Sequence, residues 1–174
     1  DFPEVSEAAG GRGMLVEEGS VTQGADAWNA QGITSEGFRG VNPRTLAGYR
    51  ADGTIVLATV DGRRANATGK TLDELATFAG EELECTGAVN WDGGGSSTMW
   101  IAGMTPSGVV NYPSDGGASE SMEHSGARPS GASMLVYASP YNWAPRFQTT
   151  PGLMTAVGDE YRYDADAIDL DVDD

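Results

Sequence analysis

The chain has 174 residues, of which 39% are hydrophobic, and this is enough for one domain with a sizeable core. Acidic residues outnumber basic ones 26 to 10, and the formal net charge of −16 excludes nonspecific nucleic-acid binding, which depends on basic groups that displace counterions. No apolar run reaches the length of a membrane span.

Two further features of composition narrow the class. The 25 glycines indicate many turns and a strand-rich fold. Cys85 is the single cysteine, so no internal disulfide can form, and its apolar surroundings predict a small buried side chain. The chain opens at Asp1 without a methionine, so we expect a processed or excised piece of a longer protein.

The first half of the chain predicts strands joined by turns. Residues 14–16 are a short apolar run and predict a strand, and the polar, glycine-rich residues 21–40 predict an excursion loop. Residues 45–50 and 54–60 are both strand-like. Because Asp52-Gly53 lies between them, they predict a β-hairpin.

One amphipathic helix is predicted over residues 72–84. Thr71 and Glu74 have the spacing of a capping box, and apolar residues follow at helical intervals. Further strands are predicted at residues 88–91, 98–101, 109–110 and 133–137. The fold class is therefore α+β, with a mixed, mostly antiparallel sheet and one main helix.

The most distinctive run lies between two predicted strands. An acid, three glycines and three hydroxyl residues occupy the seven positions from Asp92 to Thr98. Successive backbone N–H groups in such a turn can form a concavity that binds a phosphate or sugar next to a carboxylate. A tight glycine-rich turn without a ligand is the alternative, and composition alone leaves both open.

Six motifs occur in an order that resembles the phosphodiester glycosidase family, over about residues 10–138. They are Asn42-Pro43-Arg44-Thr45, Asp61-Gly62-Arg63, Gly69-Lys70-Thr71-Leu72-Asp73-Glu74-Leu75-Ala76, Asn90-Trp91-Asp92-Gly93-Gly94-Gly95-Ser96-Ser97-Thr98-Met99, Asn111-Tyr112-Pro113-Ser114 and Arg128-Pro129. The resemblance implies a hydrolase that cleaves the C1–O bond of a sugar-1-phosphodiester in a secreted or surface glycan. It also implies an extracellular or cell-surface location and no required cofactor.

Site residues follow by motif match. Asp61 and Asp92 are the candidate catalytic carboxylates, since glycoside hydrolysis commonly divides its work between two such groups. Arginine suits a phosphate because it binds oxyanions through two donors. The candidate substrate-binding and phosphate-binding residues are Arg44, Arg63, Gly94, Ser96, Thr98, Asn111 and Arg128.

Two departures from the family pattern qualify this expectation. Family members carry an earlier segment with an Asn-Gly-Gly-Phe-like motif, which this chain lacks, so we expect other copies or chains to complete the fold. An acidic residue usually precedes the family's late arginine, whereas Ala127 precedes Arg128 here, and this predicts the loss of an orienting ion pair.

The end of the chain is predicted to be separate. We expect a glycosidase-like domain at 1–139, a Pro-rich and aromatic linker at 140–150, and the start of a truncated repeat at 151–174 that resembles cadherin-like or immunoglobulin-like repeats. Asp166, Asp169 and Asp171 are candidate calcium ligands. A solvated acidic tail is the alternative.

Two other functions stay open at this point. The chain could be a noncatalytic assembly module that pairs its open strand edges with other chains. It could also bind a carbohydrate without turnover. His124 reads as a solvated loop residue, with a general base as the alternative. Trp28, Trp91, Trp100 and Trp143 read mainly as core or interface residues, with stacking on sugars as the alternative.

Overall fold

The computed structural model describes residues 10–115, 127–129 and 133–136, together with two short strands at 146–147 and 167–168. The chain divides into two compact units, 1–130 and 131–174. The predicted boundaries at 139/140 and 150/151 stay predictions.

A five-stranded sheet forms the centre of the first unit. Its strands are β1 (Met14–Glu17), β2 (Ser20–Val21), β3 (Arg44–Tyr49), β4 (Ile55–Val60) and β5 (Gly87–Asn90). Their order across the sheet is β2-β1-β5-β3-β4, and every neighbouring pair is antiparallel. The predicted antiparallel sheet of an α+β fold is therefore present.

The predicted hairpin is confirmed as β3 and β4, which pair without a register shift from Arg44↔Val60 to Tyr49↔Ile55. Its turn is closed by the amide of Arg50, which donates to the carbonyl of Thr54 at 2.9 Å. The Asp52 carboxylate accepts from the amide of Thr54, as an Asp-Gly turn favours.

The single main helix over 72–84 is not confirmed. The described residues contain three short helices, α1 (Ala25–Ala30), α2 (Glu36–Arg39) and α3 (Leu72–Thr77), and a wider π-helical turn at Phe78–Glu82 follows α3. Gly80 lies in that turn, where an added Cβ would be 2.5 Å from a methyl of Val21. The π-helical turn therefore lies close to β2, and only glycine leaves enough room for this contact.

The start of α3 matches its prediction. The Thr71 hydroxyl accepts from the amide of Glu74, and the Glu74 carboxylate accepts from the amide of Thr71 at 2.7 Å, which confirms the capping box. These hydrogen bonds, led by the one from the Thr71 backbone, hold the pKa of Glu74 below its usual value. The buried face of the helix, Leu72, Leu75 and Ala76, then joins the core.

The core lies between the sheet and the helices. Its buried apolar side chains come from β1, β3, β5, α1, α3 and the π-helical turn, and from loop positions between these elements. Cys85 is 4% exposed, as predicted, and burial raises the pKa of its thiol. Core members are Leu15, Val16, Trp28, Ile33, Leu46, Leu72, Leu75, Ala76, Ala79, Cys85 and Ala88.

Several sequence-based assignments are wrong. Residues 21–40 are not an uninterrupted loop, because they contain α1 and α2. Residues 98–101 and 109–110 form no strand and share only the bridge Trp100↔Val109, and residues 133–136 have no regular structure. The apolar runs there suit a strand, but no described neighbour pairs with them over more than one residue.

The second unit contains one described pair of strands, β6 (Arg146–Phe147) and β7 (Ala167–Ile168), which are antiparallel. The remaining predictions for the tail, including the calcium ligands Asp166, Asp169 and Asp171, lie outside the described residues, as does His124. Within the described part of the chain, no helix has the length and apolar character needed to cross a bilayer.

Candidate functional site

The antiparallel sheet brings three of the predicted site residues together at one end of its strands. Arg44 begins β3, Asp61 follows the last residue of β4, and Asp92 comes two residues after β5. Because β3 is antiparallel to both neighbours, its first residues lie beside the ends of β4 and β5, in the registers Arg44↔Val60 and Leu46↔Asn90. Arg44 and the two predicted carboxylates, Asp61 and Asp92, therefore lie at the same end of the three strands.

The glycine-rich run is a tight turn at this end of the strands. The amide of Gly94 donates to the carbonyl of Pro43 at 3.0 Å, and residues Gly94–Ser96 form one turn of 3₁₀ helix. Gly94 has φ +65°, and an added Cβ would lie 3.2 Å from the Arg63 guanidinium nitrogens. Glycine is required there both for the left-handed backbone and for the room it leaves to Arg63.

The hydrogen bonds of the run favour a turn over an anion-binding concavity. The amides of Gly93, Gly94, Ser96 and Ser97 all donate within the protein, to the Asp92 carboxylate and to backbone carbonyls. Most of the N–H groups that would cradle a phosphate are therefore already satisfied, and side chains must supply the anion contacts.

A cleft of about 290 Å³ opens beside this turn. It is lined by residues of α2, the start of β3 and the glycine-rich run, and four predicted site residues share it. The lining residues are Gly37, Phe38, Asn42, Arg44, Arg63, Asp92, Gly93 and Gly94. The cleft thus combines a carboxylate with two guanidinium groups.

Asp92 is the accessible carboxylate of the cleft. One of its oxygens, Oδ1, accepts from the amide of Gly93 at 2.9 Å, which fixes the side chain against its own turn. The other oxygen makes no hydrogen bond to any described residue, and the side chain is exposed. This oxygen is available to a water molecule or a substrate.

Arg63 is held at the cleft by Asn42. Its Nη2 donates to Asn42 Oδ1 at 2.9 Å, while Asn42 Nδ2 donates to the carbonyls of Gly37 and Gly40 at 3.0 and 3.2 Å. Because both amide donors face carbonyls, the Asn42 oxygen is fixed toward Arg63. Sequence reasoning missed this role, and the position of Asn42 at the head of the Pro-Arg motif was its only signal.

Arg44 is anchored by the backbone and is only 2% exposed. Its guanidinium donates to the carbonyls of Lys70, Phe38 and Gly40 and lies 5.8 Å from the centre of the Phe38 ring. Burial lowers the pKa of Arg44 to about 10, so the group keeps its charge at neutral pH. The prediction that Arg44 binds the phosphate remains untested. Because its guanidinium donates to backbone carbonyls, Arg44 is better described as a positively charged part of the cleft wall.

Asp61 does not line the cleft. Its Oδ1 accepts from Asn111 Nδ2 at 3.0 Å and from the amide of Tyr112 at 2.9 Å. Asn111 also donates to the carbonyl of Ser97 and accepts from the amide of Met99, both at 2.8 Å. The predicted residues Asp61 and Asn111 therefore hold the C-terminal part of the glycine-rich run through Ser97 and Met99, and neither lines the cleft.

Arg128 contacts the glycine-rich run at Ser96. Its Nη2 donates to the Ser96 hydroxyl, and its Nη1 lies 3.3 Å from Asp115 Oδ2. The carboxylate of Asp115 sits against the Cα of Gly95, where no side chain intervenes. The predicted loss of the orienting ion pair is wrong, because Asp115 supplies the acid that Ala127 does not. Thr98 is half-buried and makes no hydrogen bond to the described residues.

A larger cleft, of about 620 Å³, lies beside α3 and contains none of the predicted site residues. Its Asp73 is occupied by Trp28 Nε1 and the amide of Gly24, and its Glu74 caps α3. Because these two carboxylates already make structural hydrogen bonds, the smaller cleft is the better candidate for the active site. In the described residues, no three His, Cys, Asp or Glu side chains come together as a metal site.

Comparison with known proteins identifies one family. The model of the NAGPA family, phosphodiester glycosidase, matches residues 1–137. The SPbeta prophage-derived uncharacterized protein YomE of Bacillus subtilis is 40% identical over 62 residues, which are 36% of this chain and 10% of that protein.

Two solved structures show a limited likeness. A candidate exported protein of Burkholderia pseudomallei is 45% identical with a TM-score of 0.39, over 43% of this chain and 14% of that one. The catalytic domain of zebrafish N-acetylglucosamine-1-phosphodiester alpha-N-acetylglucosaminidase, auto-inhibited by its pro-peptide, is 25% identical with a TM-score of 0.48, over 60% and 34%. The chain thus spans about a third or less of each relative, and no comparison supports the cadherin-like or immunoglobulin-like tail.

Proposed function

Since the chain belongs to the phosphodiester glycosidase family, a family of glycosidase-type hydrolases, we propose that it cleaves the C1–O bond of a sugar-1-phosphodiester. The products are a free sugar and a phosphomonoester. One observation carries the proposal: the exposed carboxylate of Asp92 and the guanidinium of Arg63 line the same cleft of about 290 Å³.

Arg63 is the proposed phosphate ligand. Asn42 occupies its Nη2, while Nη1 and Nε make no hydrogen bond to the described residues. The free N–H groups of this guanidinium can each donate to an oxygen of an anionic ligand. The buried charge of Arg44 adds to the attraction from the cleft wall, and Arg128 is the proposed second contact by way of Ser96.

Asp92 is the proposed general base. Water attacks C1, the C1–O bond breaks, its electron pair leaves on the phosphate oxygen, and Asp92 takes the proton of the water. A phosphate leaving group is already acidic, so it needs little protonation. Asp61, through Asn111, is proposed to position the turn that carries Asp92, which leaves the cleft with one carboxylate and arginine electrostatics.

The test is a turnover assay on a panel of hexose-1-phosphodiesters, with free sugar and phosphomonoester measured together. We expect Asp92→Asn to lower kcat by about 10²-fold or more, because it removes the base. Asp26→Asn, an exposed aspartate in the first turn of α1, is the matched control and should leave the rate unchanged. If the parent, Asp92→Asn and Asp26→Asn are all inactive across the panel, the proposal is contradicted. Tight binding of a hexose-1-phosphodiester without product would instead favour a carbohydrate-binding module.

The biological setting and the metal requirement are parts of the same proposal. A secreted or surface glycan and an extracellular location remain predictions, which fractionation of the producing cell checks. The proposed chemistry uses no cofactor, so EDTA should leave the rate unchanged. Calcium is proposed only for Asp166, Asp169 and Asp171, and replacing all three with Asn should abolish any rise in Tm on adding calcium.

A second candidate function rests on strand β4. Among the described residues β4 pairs only with β3, and its six residues, Ile55–Val60, carry no charge that would discourage another strand. An assembly module that pairs this edge with other copies is therefore the alternative. A mass that stays monomeric at all concentrations would count against it, and loss of both self-association and turnover in one edge variant would link the two roles.

A further inference from the structure

Phe38 supplies the apolar part of the smaller cleft, the one that Asp92 and Arg63 also line. Of the eight residues around this cleft, all of them described, the other seven are charged residues, glycines or an amide, and Phe38 alone is apolar. Phe38 is half-buried and packs against the core. The cleft therefore offers a ligand one aromatic contact beside its charged groups.

The ring of Phe38 is held by two guanidinium groups. The Cζ atoms of Arg12 and Arg44 lie 4.9 and 5.8 Å from its centre, within the range of cation–π contacts. The backbone is fixed as well, since the amide of Phe38 donates to Ser35 Oγ at 3.3 Å and its carbonyl accepts from Arg44 Nη2 at 2.9 Å. A residue held in this way can contact a ligand with little further loss of conformational entropy.

The proposed reaction brings a sugar into this cleft. Asp92 can deliver water only to a C1 atom that lies close to it, and the phosphate on C1 is proposed to bind Arg63, so the sugar ring is confined to the space that these residues line. The hydroxyl groups of the sugar can form hydrogen bonds with polar lining residues, but the C–H groups on its flat sides cannot. The negative π system of an aromatic ring attracts such C–H groups, which are slightly positive.

We infer that Phe38 is the specificity-determining residue by which the cleft prefers a pyranose ring to an open-chain polyol of equal charge. An open-chain polyol offers hydroxyl groups but no flat set of C–H groups, and it loses more rotational freedom on binding. The inference rests on the proposed function and adds one side chain and one selectivity to it.

The test compares two phosphodiesters that each carry one negative charge, methyl hexopyranosyl phosphate and methyl glyceryl phosphate. Binding is measured by calorimetry in the Asp92→Asn background, so that turnover does not consume the ligand. We expect the hexopyranosyl ligand to bind about 3- to 10-fold more tightly than the glyceryl ligand, which is the size expected of one aromatic contact.

Two variants of Phe38 separate a direct contact from a structural role. Phe38→Leu keeps an apolar side chain on the core but removes the aromatic ring, so it should erase most of the preference and leave the affinity for the glyceryl ligand nearly unchanged. Phe38→Tyr keeps the ring and should keep the preference. If Phe38→Leu instead weakens both ligands by the same factor, Phe38 acts only by holding Arg44 in place, and the inference is overturned.

Phe78 provides the matched control. It is also half-buried against the core, and Lys70 Nζ lies 5.5 Å from its ring centre, but it lines the larger cleft beside α3. Phe78→Leu should keep the full preference for the hexopyranosyl ligand. An equal loss of preference in Phe78→Leu would show that weakened core packing is responsible and would overturn the inference.

The outcomes separate this contact from the reaction. A preference that depends on Phe38, in a parent protein without turnover, supports the contact and contradicts the hydrolase. Turnover that needs Asp92, together with a preference that survives in Phe38→Leu, overturns the contact and leaves the hydrolase standing. Equal binding of the two ligands before Phe38 is changed, or failure of both to bind, also overturns the contact.

Discussion

At the scale of single residues, Asn42 links the backbone around α2 to the guanidinium of Arg63. It donates two hydrogen bonds to carbonyls and accepts one from Arg63, and all three are within 3.2 Å. The position of the proposed phosphate ligand therefore depends on a side chain that need not touch the substrate.

Replacing Asn42 with Ala should raise KM for the phosphodiester about tenfold and change kcat less, because Arg63 loses its fixed position. Steady-state kinetics on Asn42→Ala, Arg63→Gln and the double variant check this. If Asn42 acts through Arg63, the double variant should be no worse than Arg63→Gln. Additive losses would mean that Asn42 acts independently.

The sequence could predict which residue types gather here, since Arg44, Asp61 and Asp92 each start or follow a strand. It could not predict their division of labour. Asp61 and Asp92 look alike in sequence, because each follows a strand and precedes a glycine. Asp61 nevertheless accepts hydrogen bonds from Asn111 and Tyr112, whereas one oxygen of Asp92 accepts none from the described residues. Likewise, the partner of Arg128 is Asp115, which no local pattern could have selected over Ala127.

At the scale of elements, the glycine-rich turn is the joint between the sheet and the cleft. Gly94 has φ +65° and faces the Arg63 guanidinium, whereas Gly53, in the hairpin turn, has φ +86° and no atom near its Cβ position. The two glycines carry the same backbone demand in different surroundings.

Gly94→Ala and Gly53→Ala should each destabilise the fold by about 1 kcal/mol, because alanine is strained at positive φ. Only Gly94→Ala should also lower kcat/KM, by displacing Arg63. Thermal unfolding and kinetics on both variants test this. Equal kinetic losses in the two variants would show that the effect arises from general destabilisation.

The cap of α3 predicts a pH dependence of stability. Hydrogen bonds from Thr71 lower the folded-state pKa of Glu74 below its ordinary value of 4.5. The contribution of this cap to the free energy of unfolding is therefore present above that pH and is lost as the pH falls through the folded-state pKa. Glu74→Gln should therefore lower Tm at pH 7 and match the parent well below pH 4. A Tm difference that persists in acid would contradict this origin.

The reach of sequence reasoning at this scale follows how local each signal is. The Asp52-Gly53 hairpin and the Thr71 cap depend on neighbours a few residues apart, and both are confirmed. The helix after Thr77 depends on how closely Gly80 approaches Val21, more than 50 residues earlier in the chain, so periodicity alone extended it too far.

At the scale of the whole molecule, the charge of the protein opposes its proposed substrate. A formal charge of −16 repels a phosphodiester at long range, while Arg44 and Arg63 attract it inside the cleft. Salt screens the distant charges more than the close ones, since the Debye length falls from about 30 Å at 0.01 M to about 8 Å at 0.15 M.

We therefore expect kcat/KM for the phosphodiester to rise about severalfold between 0.01 and 0.15 M NaCl, because approach becomes less repulsive. A salt series at fixed pH measures this. A steady fall of kcat/KM would instead show that the arginines of the cleft dominate the encounter.

The central claim is that the glycosidic C1–O bond is broken at the cleft of Asp92 and Arg63. Hydrolysis in ¹⁸O-labelled water, followed by mass spectrometry of both products, tests it most directly. The account predicts that the label enters the free sugar and not the phosphomonoester, and that Asp92→Asn removes this product while Asp26→Asn does not. Label in the phosphomonoester would show cleavage of the P–O bond and would contradict the account.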